Sequence, residues 1–516
     1  MNRREFIYRA SMLGTTPFWI NGLSGQTFDN SYLPAALGQA TDRCVVLIEL
    51  KGGNDGLNSL IPLNQYDLYR GFRPRLGIKE LGKGAYIPLD STQLDARKLG
   101  LHPALAPFKN LYDAGKMTVV QGVGYPQTNL SHFKSTDLWL TGGDGTPANS
   151  DFKTGWMGRY LVNNFPDGQY ATDIPTIKKP TPSMPDPLGI QLGDVSPSMG
   201  FRTESPFGVE VNLTGQNPTG YYSLMAGVGA PPLRATNTDN GRGLQQIMNT
   251  EASVMSYAQR ISDVFKAGSN AVSYPDSDLA QQLKTVARFL KGGSKTQLFL
   301  THQSTYDTHS GQIQANEPHV GAHANLLADL SAAISAFMND LSALGLADKV
   351  ILATFSEFGR RVTENTNWGT EHGTTAPMLI FGSRLQPGVL GNNADLSLVN
   401  ASGGFQLQDR QFDYRQVFST FLRDWLGGSD AVLAQTFAAR YASLNLINAC
   451  AGQVVVVDKP IVPPLYQNTN AYAIEGSSVI GAGTNVTFMG EKSVLLKPGF
   501  KTEPGATFTA KTGGCN

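Results

Sequence analysis

Lys349-Val350-Ile351-Leu352-Ala353-Thr354-Phe355-Ser356-Glu357-Phe358-Gly359-Arg360-Arg361, followed by a polar loop and then Gly369-Thr370-Glu371-His372-Gly373-Thr374-Thr375-Ala376-Pro377, decides the reading of this chain. Residues 350–355 form an apolar run of the length and composition of a buried parallel strand. It ends at Ser356 and Glu357, which sets a carboxylate at the strand's carboxyl end. A second acid–histidine pair, Glu371 and His372, follows in a Gly/Thr-rich loop. In open α/β sheets, ligands bind outside the carboxyl ends of the strands. Carboxylates and imidazole gathered there point to a metal or acid/base site.

Working outward, residues 45–50 (Val-Val-Leu-Ile-Glu-Leu) read as another strong strand running into Lys51-Gly52-Gly53-Asn54-Asp55-Gly56. A helix over 103–114 precedes a strand at 117–121. A loop holding Gly122, Gly124 and Pro126 then leads to Asn129-Leu130-Ser131-His132-Phe133 and a helix toward Trp139. Strand, helix, strand, helix is the grammar of a doubly wound sheet. Residues 165–235, rich in Pro, Gly and Thr, read as a long insertion that caps the substrate side. Helical patterns return at 243–267 and 277–291, and a strand is expected at 296–300. Over 322–344, Leu326, Leu327, Leu330, Ile334, Phe337, Leu341 and Leu344 recur at helical spacing on one face. A strand at 378–381 and an amphipathic helix over 414–426 follow. After Cys450, short strand-like units at 454–457, 485–489, 493–496 and 507–510 alternate with Gly and Pro turns. Gly483-Thr484-Asn485-Val486-Thr487-Phe488 echoes Gly505-Ala506-Thr507-Phe508, the mark of a small repeated-strand β module.

The 516 residues exceed one small core, so a large domain with an appendage is expected. Lys plus Arg and Asp plus Glu both number 41, which argues against nucleic acid as a partner. Only 16% of residues are charged and 56 are Gly, as suits a loop-rich exported chain. Met1-Asn2-Arg3-Arg4-Glu5-Phe6-Ile7, with a mildly apolar stretch to Gly25, reads as a twin-arginine export signal over residues 1–25. This makes the twin-arginine machinery an expected partner and the periplasm or cell surface the expected location. No later apolar run has the length of a membrane span. Of the three cysteines, Cys44 reads as a buried small hydrophobe, and Cys450 and Cys515 could pair after export.

Each chemical group has a bland reading beside a functional one. Asn54 and Asp55 are turn formers or, for Asp55, a cation ligand. Ser131 is a helix N-cap or a hydroxyl placed where backbone N–H groups favour an anion, with His132 beside it. Five of the seven histidines lie from His302 to His372, namely His302, His309, His319, His323 and His372. Asp307 and His309, two apart, can point into one site from an extended segment. His319 and His323 would share a helical face, although Pro318 and Gly321 interrupt it. Arg360 or Arg361 could bind an anion, or both could be surface residues.

Six motifs carry a resemblance: residues 50–58 (Leu-Lys-Gly-Gly-Asn-Asp-Gly-Leu-Asn), 100–105 (Gly-Leu-His-Pro-Ala-Leu), 131–139 (Ser-His-Phe-Lys-Ser-Thr-Asp-Leu-Trp), 306–309 (Tyr-Asp-Thr-His), 354–360 (Thr-Phe-Ser-Glu-Phe-Gly-Arg) and 369–374 (Gly-Thr-Glu-His-Gly-Thr). In this order the chain resembles the bacterial domain-of-unknown-function 1501 family and, more distantly, the alkaline phosphatase and sulfatase superfamily. The resemblance implies a three-layer α/β sandwich with a mostly parallel central sheet over residues 42–447, followed by a stacked β module over 453–516. It implies an exported, metal-dependent hydrolase of phosphate or sulfate esters. Asp55, Asp307, His309, Glu357 and His372 would be ligands of a divalent metal (zinc, calcium, magnesium or manganese). Asn54, Glu371, His319 and His323 are additional candidates. Ser131 falls near the nucleophile position, with His132 in a register one residue away, and Arg360 would contact the anion. Phe358 departs from the pattern, standing where the superfamily often has a histidine ligand, which implies a single metal or an altered site. The sulfatase Cys/Ser-x-Pro-x-Arg signature is absent around Ser131. The alternative is a non-catalytic surface or binding protein on a degenerate hydrolase fold.

Overall fold

The structure is a computed structural model that describes residues 42–164, 186–194, 198–203, 210–213, 257–407, 410–448, 454–457 and 466–512, short strands at 18–20 and 23–25, and a few positions near 240. Most of the expected export signal, most of the 165–235 insertion, Cys450 and Cys515 lie outside the described residues.

In chain order the core elements are β1 (Cys44–Leu50), α1 (Ala106–Asp113), β2 (Met117–Gly124), α2 (His132–Thr141), α3 (Trp156–Asn164), β3 (Gly189–Leu192) and β4 (Glu210–Leu213). Then come α4 (Asp278–Lys291), β5 (Leu298–Gln303), α5 (Ala322–Ala343), β6 (Val350–Phe355), β7 (Gly359–Glu364), β8 (Thr370–Gly373), β9 (Ala376–Phe381), β10 (Gly388–Leu390), β11 (Phe412–Asp413), α6 (Tyr414–Thr420) and α7 (Asp430–Phe437).

One 9-stranded sheet runs in the order β10-β2-β9-β6-β1-β5-β3-β4, with β11 added alongside β2. Every neighbouring pair is parallel except the two that β9 makes with β6 and β2. Every residue of β1 and β6 is buried, because helices cover both faces of the sheet. Val46, Ile48 and Leu50 pack with α1, α4 and α5 on one face. Val45 and Leu47 pack with α2, α3, α6 and α7 on the other. The chain is therefore a three-layer α/β sandwich with a mostly parallel central sheet.

Local sequence explains the helix ends. The Ser277 hydroxyl accepts from Ala280 N at the start of α4, and Arg288 and Lys291 sit in its last turn, where the helix dipole favours cations. α2 stops at Gly142, whose φ of 79° is the left-handed conformation a helix end uses. The helix expected over 414–426 is α6 continued by a π-helical turn, Phe421–Trp425.

The segment read as a long insertion capping the substrate side contributes β3 and β4, which extend the main sheet beyond β5. Towards the carboxyl end, strands Val454–Val457, Tyr466–Gly476, Asn485–Leu496 and Thr507–Thr512 form a 4-stranded, wholly parallel sheet. Val486 and Phe488 repeat against Phe508, which accounts for the sequence echo. Among the described residues, no helix is long and apolar enough to cross a membrane.

Candidate functional site

β1 lies between β5 and β6, all three parallel, so the loops after Leu50, Gln303 and Phe355 meet at one edge. Gly52 makes the close approach possible. Its φ is +119°, and a Cβ there would lie 2.3 Å from Asp307 N. Its N–H donates to Glu357 Oε1 at 2.7 Å. α2 is tied to the same edge, since the Trp139 indole donates to the Glu357 carbonyl at 2.9 Å and stacks on Tyr414 and Phe355. That fixes His132, the first residue of α2. The β7–β8 hairpin, with Arg360 paired to His372, brings in the remaining groups.

Asp307 is the hub. Its Oδ1 lies 3.0 Å from His309 Nε2, 3.2 Å from His372 Nε2 and 2.7 Å from Arg360 Nη2. Its Oδ2 lies 3.4 Å from His132 Nε2. The Nε2 atoms of His309 and His372 are 2.9 Å apart. Ligand atoms of His132, Asp307 and His372 all fall within 4.8 Å of one another. The other nitrogen of each imidazole is held from behind. His309 Nδ1 faces Glu371 Oε2 at 3.0 Å, His372 Nδ1 faces the Leu130 carbonyl at 2.7 Å, and His132 Nδ1 faces Glu357 Oε1 at 2.9 Å.

These contacts decide what the residues can hold. A carbonyl or carboxylate only accepts, so with Nδ1 of His309 donating to Glu371 and Nδ1 of His372 donating to Leu130, the neutral rings would direct Nε2 lone pairs toward each other and toward Asp307. Arg360 already offsets the charge on Asp307, and the two imidazole lone pairs directed at that carboxylate would be satisfied by a further cation among them. Corners of a tetrahedron with metal–ligand bonds of about 2.0–2.1 Å are about 3.3 Å apart, close to the spacings here. Histidines braced at the far nitrogen are the usual outer shell of a metal centre. The donor set therefore fits a divalent metal.

Burial would raise the Asp307 carboxyl, but the hydrogen bond and charge of Arg360, helped by His372 and His309, hold it below its usual range. Burial keeps His372 below the usual histidine range. The hydrogen bond to Glu357 raises His132 and outweighs its burial. Phe358 fills the space beside these rings, with its centroid 4.4 Å from His372 and 5.0 Å from His132.

The other expected residues fall as follows. Glu357 is buried behind His132 and bonds Gly52 and His132. Arg360 is also buried. It donates to the carbonyls of Gly53, Thr370, Gly52 and Tyr306 as well as to Asp307, so its guanidinium is committed to bracing. Ser131 is exposed at the N-cap of α2, and its hydroxyl caps nothing.

Asp55 belongs to a second buried network. Its carboxylate pairs with Arg73 at 2.8 and 2.7 Å, accepts from Gln312 Nε2 at 2.6 Å and caps the short helix Gly56–Ser59. Burial alone would raise it, but Arg73 foremost, with His323 and Gln312, brings it below the usual carboxyl range. Asn54 Oδ1 accepts from His323 Nε2 at 2.9 Å, and its Nδ2 donates to Ser59. His323 is buried, and His319 packs on Gly84, where a Cβ would lie 2.1 Å from its ring. Neither of these histidines joins the Asp307 cluster.

Sequence reasoning missed Arg73, Gln312 and Asn365. Gln312 links the two networks, since Thr308 and Thr370, neighbours of the cluster residues, both donate to its Oε1.

Residues 235–431 match the family described as Protein of unknown function (DUF1501), the family that the motifs resemble. No curated protein matches the chain. Among solved structures, a protein in the alkaline phosphatase superfamily from Vibrio parahaemolyticus is 12% identical, with a TM-score of 0.32, and the match covers 76% of this chain and 71% of that one. The lipoteichoic acid synthase LtaP from Listeria monocytogenes is 7% identical at a TM-score of 0.32, covering 73% and 75%. The PsFucS1 sulfatase from Pseudoalteromonas sp. is 12% identical at 0.33, covering 81% and 72%.

Proposed function

We propose that this protein is an exported, metal-dependent hydrolase of phosphate or sulfate esters. The observation that carries the reading is the pair of Nε2 atoms, of His309 and His372, converging on Asp307 with both Nδ1 atoms tied down. Asp307, His309 and His372 would hold one divalent cation. Two imidazoles in the set favour zinc over calcium, magnesium or manganese. Bound there, the metal would polarise an ester oxygen and offset charge developing on it.

The chain's own groups supply the rest. Arg360 fixes Asp307. His132, whose affinity for a proton is raised by Glu357, donates that proton to the departing alcohol. Ser131, at the N-cap of α2 between Leu130, which accepts from His372, and His132, would supply the nucleophilic hydroxyl. Its Oγ forms a bond to phosphorus or sulfur as the bond to the alcohol oxygen breaks, and its hydroxyl proton leaves to solvent. Water then releases inorganic phosphate or sulfate and restores Ser131. Export rests on the Arg3-Arg4 signal alone.

The test is elemental analysis of protein purified from the periplasm, with the same sample assayed on phosphomonoesters, phosphodiesters and sulfate esters. About one metal per chain with turnover supports the reading. A folded protein that takes up no zinc or manganese and turns over nothing refutes it. Metal without turnover favours a binding protein on this fold, in line with Phe358 packed against both rings.

A further inference from the structure

Residues 365–369 join β7 to β8 and fold around one side chain. Asn365 Oδ1 accepts from Asn367 N at 2.9 Å and from Gly369 N at 3.1 Å. Its Nδ2 donates to the His309 carbonyl at 2.9 Å and to Glu371 Oε1 at 2.8 Å. Two donated and two accepted bonds use the whole capacity of an amide. The loop is also locked to the segment that carries His309. Gly311 N and Gln312 N donate to the carbonyls of Asn367 and Trp368 at 3.1 and 2.9 Å. Gly369 lies so close that a Cβ would meet His309 backbone atoms at 2.4 Å. Trp368 is held at a φ of 60°, unusual for a bulky residue, with Arg75 over its ring at 4.9 Å.

We propose that Asn365 is a positioning residue of the metal cluster: its amide grips the backbone of His309 and the carboxylate behind its ring, and so keeps that ring oriented with Nε2 aimed at Asp307 and His372. The metal part of this rests on the function proposed above. One oxygen of Glu371 goes to Asn365 and the other to His309 Nδ1, so the carboxylate cannot rotate away without losing both bonds. A main-chain shift of His309 would break the second donated bond. Outer-shell partners of this kind typically change metal affinity 10–100-fold.

Asn365→Asp separates positioning from loop folding, because it keeps an acceptor for Asn367 N and Gly369 N but removes the donor to Glu371 and His309. Two measurements on the full-length protein test the idea. In the metal-free protein at about pH 8, above the usual histidine pKa of about 6.5, nitrogen-15 imidazole spectra report which ring nitrogen of His309 carries the proton. Wild type should show Nδ1–H, and Asn365→Asp should lose that preference. Zinc affinity, read by competition with a chromophoric chelator, should fall about 10–100-fold in Asn365→Asp and similarly in Glu371→Gln. The double variant should lose little more than either single one, because both break the same link. An Asn365→Asp protein with the wild-type His309 tautomer and wild-type zinc affinity overturns the proposal. A wild type that binds no zinc removes the metal reading of the preceding section, and the tautomer comparison then still decides whether Asn365 positions His309.

Discussion

Replacing Asp55 with Ala should unfold the protein more easily without emptying the proposed metal site. Asp55 and Arg73 are each 0% exposed, and one guanidinium nitrogen of Arg73 serves both carboxylate oxygens. Without Asp55, Arg73 keeps Asn58 Oδ1 and the carbonyls of Val362 and Arg361. None of these carries a charge. Removing one partner of a buried ion pair costs about 3–5 kcal/mol, because the survivor stays charged in a dry interior. Loss of the Asn58 cap and the Gln312 bond adds to that cost. At about 1.4 kcal/mol per decade, 3 kcal/mol is roughly a hundredfold in the unfolding equilibrium. Urea unfolding of chelator-stripped protein, followed by tryptophan fluorescence, measures it free of any contribution from bound metal. Metal per folded chain is then measured on reloaded samples. A double variant, Asp55→Leu with Arg73→Met, should recover much of the loss, since apolar replacement of a buried pair is often near neutral. If Asp55→Ala is as stable as wild type but cannot hold metal, Asp55 is a ligand and the network argument is wrong.

Three further outcomes follow from the geometry. Burial pushes His323 down to about 4 and His102 to about 3; the unfolded chain takes up these protons near pH 6.5 and the native one does not, so stability falls as pH drops from about 6.5 to 4. His323 accounts for about 3 kcal/mol of this, and His323→Gln should flatten the slope of urea midpoints between pH 7 and about 5, whereas an unchanged slope would contradict the assignment. In Glu357→Gln, His132 loses the charged acceptor that raises it, so the alkaline limb of turnover should move to lower pH; a limb that stays put would exclude His132 as the proton donor. Chelator stripping should lower the thermal midpoint and zinc should restore it, with about 4 kcal/mol gained at a thousandfold excess over Kd. Asp307→Asn should show no such difference between stripped and loaded protein.

Much of the frame was legible because β1 and β6 are buried on both faces and therefore read as near-continuous apolar runs, broken only by Glu49 and Thr354. The Asp307, His309 and His372 cluster was legible from chemistry at strand ends, once β5, β1 and β6 were taken as neighbours. The edge strands β3 and β4 were not. Each has four residues in a Pro- and Gly-rich segment, too few to show a period, and ladder pairing with β5 and with each other makes them strands. Nor does the sequence show that Arg73, in Phe72-Arg73-Pro74-Arg75, is buried against Asp55 rather than on the surface. Glu357 reads equally well as a ligand or as a brace until Gly52 N and His132 are seen to share one of its oxygens. Asn365 gives no signal at all, because its role comes from a loop that closes onto residues more than fifty positions earlier.

The placement of β1 between β5 and β6 also bears on how the site comes into being. The bond from Gly52 to Glu357 spans 305 positions, and that from Arg360 to the Tyr306 carbonyl spans 54. Closing the longer loop is slow, since its entropy must be lost before any contact compensates. The hairpin and the Asp307 segment can meet early, while the first strand, made first on the ribosome, must wait for the last part of the sheet. If the proposed site takes up zinc, recovery of binding during refolding should therefore lag behind helix formation and coincide with the final cooperative phase, which would make the metal a reporter of completed topology.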